Sequence, residues 1–190
     1  MGQVISIGKQ DYVSLRENHY FYIDKTDFIR QWWKNADDIT LITRPRRFGK
    51  TLNMSMLNCF FSRQYAERGD LFEGLSIWEE EKYRELQGTY PVIFMSFADI
   101  KGSTYEKTRM GVIHKITKLY TDFEFLKRTG VLSGRDLEFY DSVSVDMGDD
   151  VAGIAIQYMC DYLRRYYGKN ALVLLDEYDT PLQELSLIHI

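Results

Sequence analysis

A chain of 190 residues and 22.5 kDa has the size of one domain, and folding at that length buries roughly 70% of the surface the unfolded chain exposes. Its 45% hydrophobic, 15% aromatic and 27% charged residues exclude collagenous, low-complexity and disulfide-scaffold classes. With 24 basic against 28 acidic residues the net charge is -4, so no global positive field recruits nucleic acid or an anionic membrane.

Cys59 and Cys160 have no C-x-x-C neighbour, and His19, His114 and His189 are equally scattered. That spacing fits neither a zinc site nor a disulfide framework and predicts two buried, reduced thiols. The longest strongly apolar stretch, 171–175, is far short of the roughly 20 residues that span a bilayer. The first twenty residues hold no signal-peptide core, so a cytoplasmic protein without a membrane partner is expected.

In chain order, the segment Tyr20-Phe21-Tyr22-Ile23-Asp24-Lys25-Thr26 leads into a helix predicted over 25–34, with Asp24 as its N-cap. Ile39-Thr40-Leu41-Ile42-Thr43 is a short β-branched run predicted as a strand that Pro45 stops. Leu52, Met56 and Phe60, with Leu57 and Phe61, recur at helical spacing and predict an amphipathic helix over 50–64. Pro91 introduces a second strand over 92–97, and a third is expected at 171–175. Between them the pattern predicts helices over 104–122, 134–143 and 149–167, the last closed by Gly168. Continuous apolar character in the strands predicts a mostly parallel sheet covered on both faces, hence a three-layer α/β fold as a single domain over 1–190.

Arg44-Pro45-Arg46-Arg47-Phe48-Gly49-Lys50-Thr51 falls between the first expected strand and the long helix. That is where the phosphate loop G-x-x-x-x-G-K-S/T would stand, with only the first glycine replaced. A loop that wraps phosphates turns backbone N–H groups inward, Gly49 allows close approach, and the positive end of the following helix attracts the anion. Lys50 would reach the terminal phosphates and the Thr51 hydroxyl would ligate Mg²⁺. The bland alternative is that Lys50 and Thr51 are ordinary first-turn residues. Leu172-Val173-Leu174-Leu175-Asp176-Glu177 is an independent signal, an apolar strand ending in two acids. Asp176 would hold the Mg²⁺ shell and Glu177 would orient the attacking water as the catalytic residue. The alternative there is a pair that caps a turn or meets solvent at a strand end.

With these strings in view, the chain resembles the predicted AAA-ATPase-like family of bacterial proteins. The resemblance is carried by Tyr22 to Thr26, Leu41 to Leu52, Leu71-Phe72-Glu73-Gly74-Leu75, Pro91 to Phe97, and Leu175-Asp176-Glu177-Tyr178-Asp179-Thr180-Pro181-Leu182. It implies a P-loop ATPase fold, ATP and Mg²⁺ as ligands, and a nucleotide loop comprising Arg44, Arg46, Arg47, Phe48, Gly49, Lys50, Thr51 and Leu52. It also implies a PD-(D/E)XK nuclease-like domain in many full-length members, through which nucleic acid would be met only indirectly, and leaves a homo-oligomer open. Family members continue past D-E-Y-D-T-P-L, so the α/β domain is expected to be incomplete at its C-terminal side, without the strand that carries a sensor residue. Residues 185–190 depart from the family and read as a non-native tail.

Two other functions compete. Asp99-Ile100-Lys101-Gly102 is a D-x-x-G about fifty residues after the loop, as in a GTPase, although no guanine-reading N-K-x-D occurs. The other is a non-catalytic nucleotide-binding module. Arg44, Arg46 and Arg47 as a DNA-contact patch are better explained by phosphate binding.

Overall fold

The computed structural model describes residues 4–5, 8–43, 48–102 and 104–181. The chain divides into two compact units, 1–90 and 91–190.

In the first unit, helix α1 (Tyr12–Glu17) starts where the Asp11 carboxylate accepts the Ser14 N–H at 2.6 Å. Helix α2 (Asp27–Asn35) ends at Ala36 in the left-handed region. Helix α3 (Lys50–Phe61) is followed by short 3-10 turns at Arg63–Tyr65, Gly69–Phe72 and Ser76–Glu79, then by α4 (Glu81–Leu86). Tyr12 fastens α1 to its surroundings. Its N–H donates to Ser55 Oγ (3.0 Å), its hydroxyl donates to the Leu71 carbonyl (3.2 Å), and its ring stacks on Phe72. Phe60 and Phe61, both fully buried on α3, meet Phe72, Trp32, Trp33 and Tyr90 edge-on or stacked. Each ring so buried stabilises the unit by about 1.5–3 kcal/mol through area alone. Gly88 has φ +67°, and a Cβ there would stand 2.3 Å from the Ala66 Cα. Only glycine lets those two backbones meet.

The second unit holds strand β1 (Val92–Ser96), helices α5 (Tyr105–Asp122), α6 (Gly134–Ser142) and α7 (Asp149–Tyr167), and strand β2 (Leu172–Asp176), with a 3-10 turn at Glu124–Arg128. The strands run parallel, Val92 opposite Leu172 and Ser96 opposite Asp176. Thr104 caps α5, and Ser133 with Asp136 forms a reciprocal capping box on α6. Helix α7 begins with Asp149 and Asp150, ends with Arg164 and Arg165 in its last turn, and closes on Gly168 at φ +69°; its charges complement the helix dipole. Ile93, Met95 and Phe97 from the β1 segment pack with Ile113, Ile116 and Tyr120 of α5 and Met159, Tyr162 and Leu163 of α7 in one buried cluster. The helices between the strands and the parallel pairing match the α/β reading.

Several expectations change. The segment 39–43 forms no strand: Ile39 is 90% and Leu41 62% exposed. β-branched residues favour extended backbone, but a strand needs a neighbour for its N–H and C=O groups, and no described strand pairs with this one. The described sheet has two parallel strands. On β2, Val173 and Leu175 are 39% and 37% exposed. Helix α2 starts at Asp27 rather than at 25, because the Asp24 carboxylate accepts from the Thr26 N–H and hydroxyl instead of capping. Helix α3 stops at Phe61, three residues short, and its chain continues as a 3-10 turn. Cys59 is buried as expected and Cys160 is half-buried. The proposed tail, 185–190, lies outside the described residues.

Candidate functional site

In the first unit the candidate residues stand at the entry to α3. Gly49 has φ +76° and is the helix N-cap, and its carbonyl accepts the Asn53 N–H at 2.9 Å. A left-handed residue immediately before a helix turns the chain into it, and the first turn of any helix has N–H groups without an intrahelical acceptor. With no side chain at 49, a neighbouring group can approach the backbone closely there. Lys50, Thr51 and Leu52 are half-buried, while Phe48 is 61% exposed. Arg44, Arg46 and Arg47 lie outside the described residues.

A residue that motif spacing passes over also reaches this point. A Cβ placed on Gly49 would stand 3.6 Å from Nζ of Lys25. The string Y-I-D-K-T contains Lys25, but twenty-four positions separate it from Gly49, and no periodicity connects them. Only the fold brings them together.

In the second unit the candidate residues stand at the C-terminal end of β2. Asp176 is 3% exposed, its carbonyl accepts the Phe97 N–H at 2.9 Å, and its Oδ2 accepts the Ser96 hydroxyl at a long 3.4 Å. Burying a carboxylate with so little hydrogen bonding costs free energy unless a cation or further donors complete it. Ser96, opposite Asp176 in the parallel register, is a second residue that motif reading missed; its place at the end of a buried strand was the available signal. Glu177 is half-buried and sits at φ +52°, its carbonyl accepting the Thr180 N–H at 3.0 Å. A left-handed glutamate costs about 1–2 kcal/mol, and such strain concentrates at functional sites. Parallel-sheet proteins place ligands at the C-terminal ends of their strands, as here.

The rival acid behaves differently. Asp99 accepts Lys115 Nζ at 2.7 Å in an exposed ion pair, and that hydrogen bond holds its carboxyl below the usual carboxylate range. It is a surface residue already provided with a cation.

Oxygen donors suit Mg²⁺, which takes one or two protein ligands and completes its shell with water and phosphate. The buried Asp176 carboxylate in the second unit and the Thr51 hydroxyl in the first are each donors of that kind. No group of three or more His, Cys, Asp or Glu side chains among the described residues forms a ready-made metal cage. No described helix is long and apolar enough to cross a membrane.

A protein of Azotobacter chroococcum mcd 1 described as "Uncharacterized protein in vnfD 5'region" is 26% identical over 188 residues. The match takes in 94% of this chain, which spans 29% of that relative's length. No solved structure matches the chain. The sequence profile of the family described as "Predicted AAA-ATPase" matches residues 6–188, loop and strand-end acids included, and the chain belongs to that family.

Proposed function

We propose that the chain binds ATP with Mg²⁺ and, in the natural protein, hydrolyses it. In this reading the loop of Arg44, Arg46, Arg47, Phe48, Gly49, Lys50, Thr51 and Leu52 takes the phosphates. Backbone amides and the Lys50 ammonium neutralise the triphosphate, and Thr51 and Asp176 hold the magnesium shell. Mg²⁺ held there would supply charge neutralisation for the triphosphate. Glu177 accepts the proton of the attacking water and orients it toward the γ-phosphorus. The observation that carries the reading is the left-handed Gly49 opening a twelve-residue helix at Lys50, within a chain that belongs to a predicted ATPase family.

Assigning the magnesium to Asp99 has weaker support, because Lys115 already neutralises that exposed carboxylate, whereas Asp176 is buried with one long side-chain hydrogen bond. Coupling of hydrolysis to a partner or nuclease-like domain, self-association and cytoplasmic location belong to the same proposal and rest on the family resemblance. Titrating ATP and GTP into the 190-residue chain with and without Mg²⁺ tests it. Magnesium-dependent binding that favours ATP supports it; preference for GTP, or no binding of either, overturns it. Binding without turnover in the natural protein would identify a non-catalytic nucleotide module instead.

A further inference from the structure

We propose that Lys25 is a second phosphate-binding cation of the loop, contacting the same polyphosphate that Lys50 and the α3 amides receive. The inference rests on the nucleotide reading above and adds a ligand to it.

The first observation is position. The Lys25 ammonium stands 3.6 Å from where a Cβ on Gly49 would be, so it lies beside the bare Cα of the residue that opens the helix. A side chain at 49 would crowd it. The second is anchoring. The Lys25 N–H donates to the Tyr22 hydroxyl at 3.4 Å and its carbonyl accepts the Phe28 N–H at 3.0 Å. On its N-terminal side the Asp24 carboxylate accepts the Thr26 N–H (2.8 Å), the Thr26 hydroxyl (2.7 Å) and the Ser76 N–H (2.8 Å). Thr26 is fully buried, and its hydroxyl oxygen also accepts the Ile77 N–H at 3.2 Å. The backbone that carries Lys25 is thus fixed on both sides, and its side chain leaves from a rigid base.

The third observation is charge. Lys25 is half-buried and has no ion-pair partner among the described residues. The neighbouring Asp24 carboxylate is committed to Thr26 and Ser76, and their hydrogen bonds outweigh the effect of burial to keep it below the usual range. An ammonium held near the positive end of a helix is unfavourable by itself, and the repulsion reverses when an anion lies between them. A rigid backbone, a cation without an ion-pair partner among the described residues and the adjoining start of α3 together describe a place for an anion.

Calorimetric titration of ATP and of inorganic tripolyphosphate into the 190-residue chain tests this, using the parent, Lys25→Ala, Lys25→Met, Lys25→Arg and Lys50→Ala. Melting of each without ligand identifies variants that fold like the parent. Loss of one charge-assisted phosphate contact weakens binding about 10- to 100-fold. That loss is expected for both ligands in Lys25→Ala and Lys25→Met, with Lys25→Arg recovering most of it and ligand-free melting unchanged. Lys25 variants that bind within about twofold of the parent while Lys50→Ala loses binding would overturn the role of Lys25 and leave the loop standing. Weakening for ATP but not for tripolyphosphate would overturn it too, since the lysine would then act on the nucleoside. If the parent binds neither ligand, the nucleotide reading and this inference fall together.

Discussion

Glu177 combines two properties that pull against each other. It sits at φ +52°, where any residue but glycine pays strain, and it carries the carboxylate assigned to water. Glu177→Gly relieves the strain but adds chain entropy to the unfolded state, so stability should change by less than about 1 kcal/mol. Turnover in the natural protein should nonetheless disappear. Glu177→Gln keeps the shape, so Mg²⁺-ATP binding should persist while the rate falls about 10²- to 10⁴-fold; single-turnover kinetics beside a binding titration separates the two. Asp99→Asn is the contrasting substitution. It removes only an exposed pair with Lys115, so unfolding should shift by no more than about 1 kcal/mol, and the magnesium effect on ATP binding should be untouched. Loss of that effect in Asp99→Asn, with its retention in Asp176→Asn, would transfer the metal to the loop after β1.

The turn that precedes α2 is governed by Asp24. Its carboxylate receives three hydrogen bonds that hold 24–26 against Ser76, and Asp24→Ala would leave the buried Thr26 with fewer partners. The expected cost is about 1–3 kcal/mol, read as a lower midpoint in urea unfolding. Burial pushes the Asp24 carboxyl up, and the hydrogen bonds from Ser76 and Thr26 more than cancel that, leaving it below its ordinary value. A carboxyl lowered in the folded state stabilises above its unfolded pKa, and the contribution disappears as pH falls through the folded one. The parent should therefore lose stability below about pH 4 by more than Asp24→Ala does; equal acid sensitivity would show that the turn does not depend on the charge. Such elements were partly legible in sequence. Gly134 to Ser142 and Asp149 to Tyr167 carry their own caps and charges, so local chemistry bounded α6 and α7 closely. Ile39 to Thr43 carries only a preference for extended backbone, and its state depends on a pairing partner that no local pattern encodes. Asp24 was legible as a polar residue before a helix, but its actual partner, Ser76, is fifty-two positions away.

For the whole molecule, the sequence exposes family membership more readily than architecture. The strings around Gly49 and Asp176 are local, and the structure puts the first at a helix start and the second at a strand end, where such residues can act. Lys25 and Ser96 escaped because their relevance comes from tertiary neighbours alone. Each unit has its own buried cluster. Phe60→Ala in the first should therefore cost about 3–5 kcal/mol and lower the thermal midpoint, with near-parental melting contradicting the described packing. The family membership and the glycine entry to α3 converge on one claim, that the G-K-T loop is a phosphate site. Its most direct test is the affinity of the 190-residue chain for Mg²⁺-ATP before and after Lys50→Ala, with ligand-free melting compared in parallel. Binding by the parent that weakens about tenfold or more in the variant, without a change in melting, is the predicted result. An affinity unchanged by the substitution would contradict it.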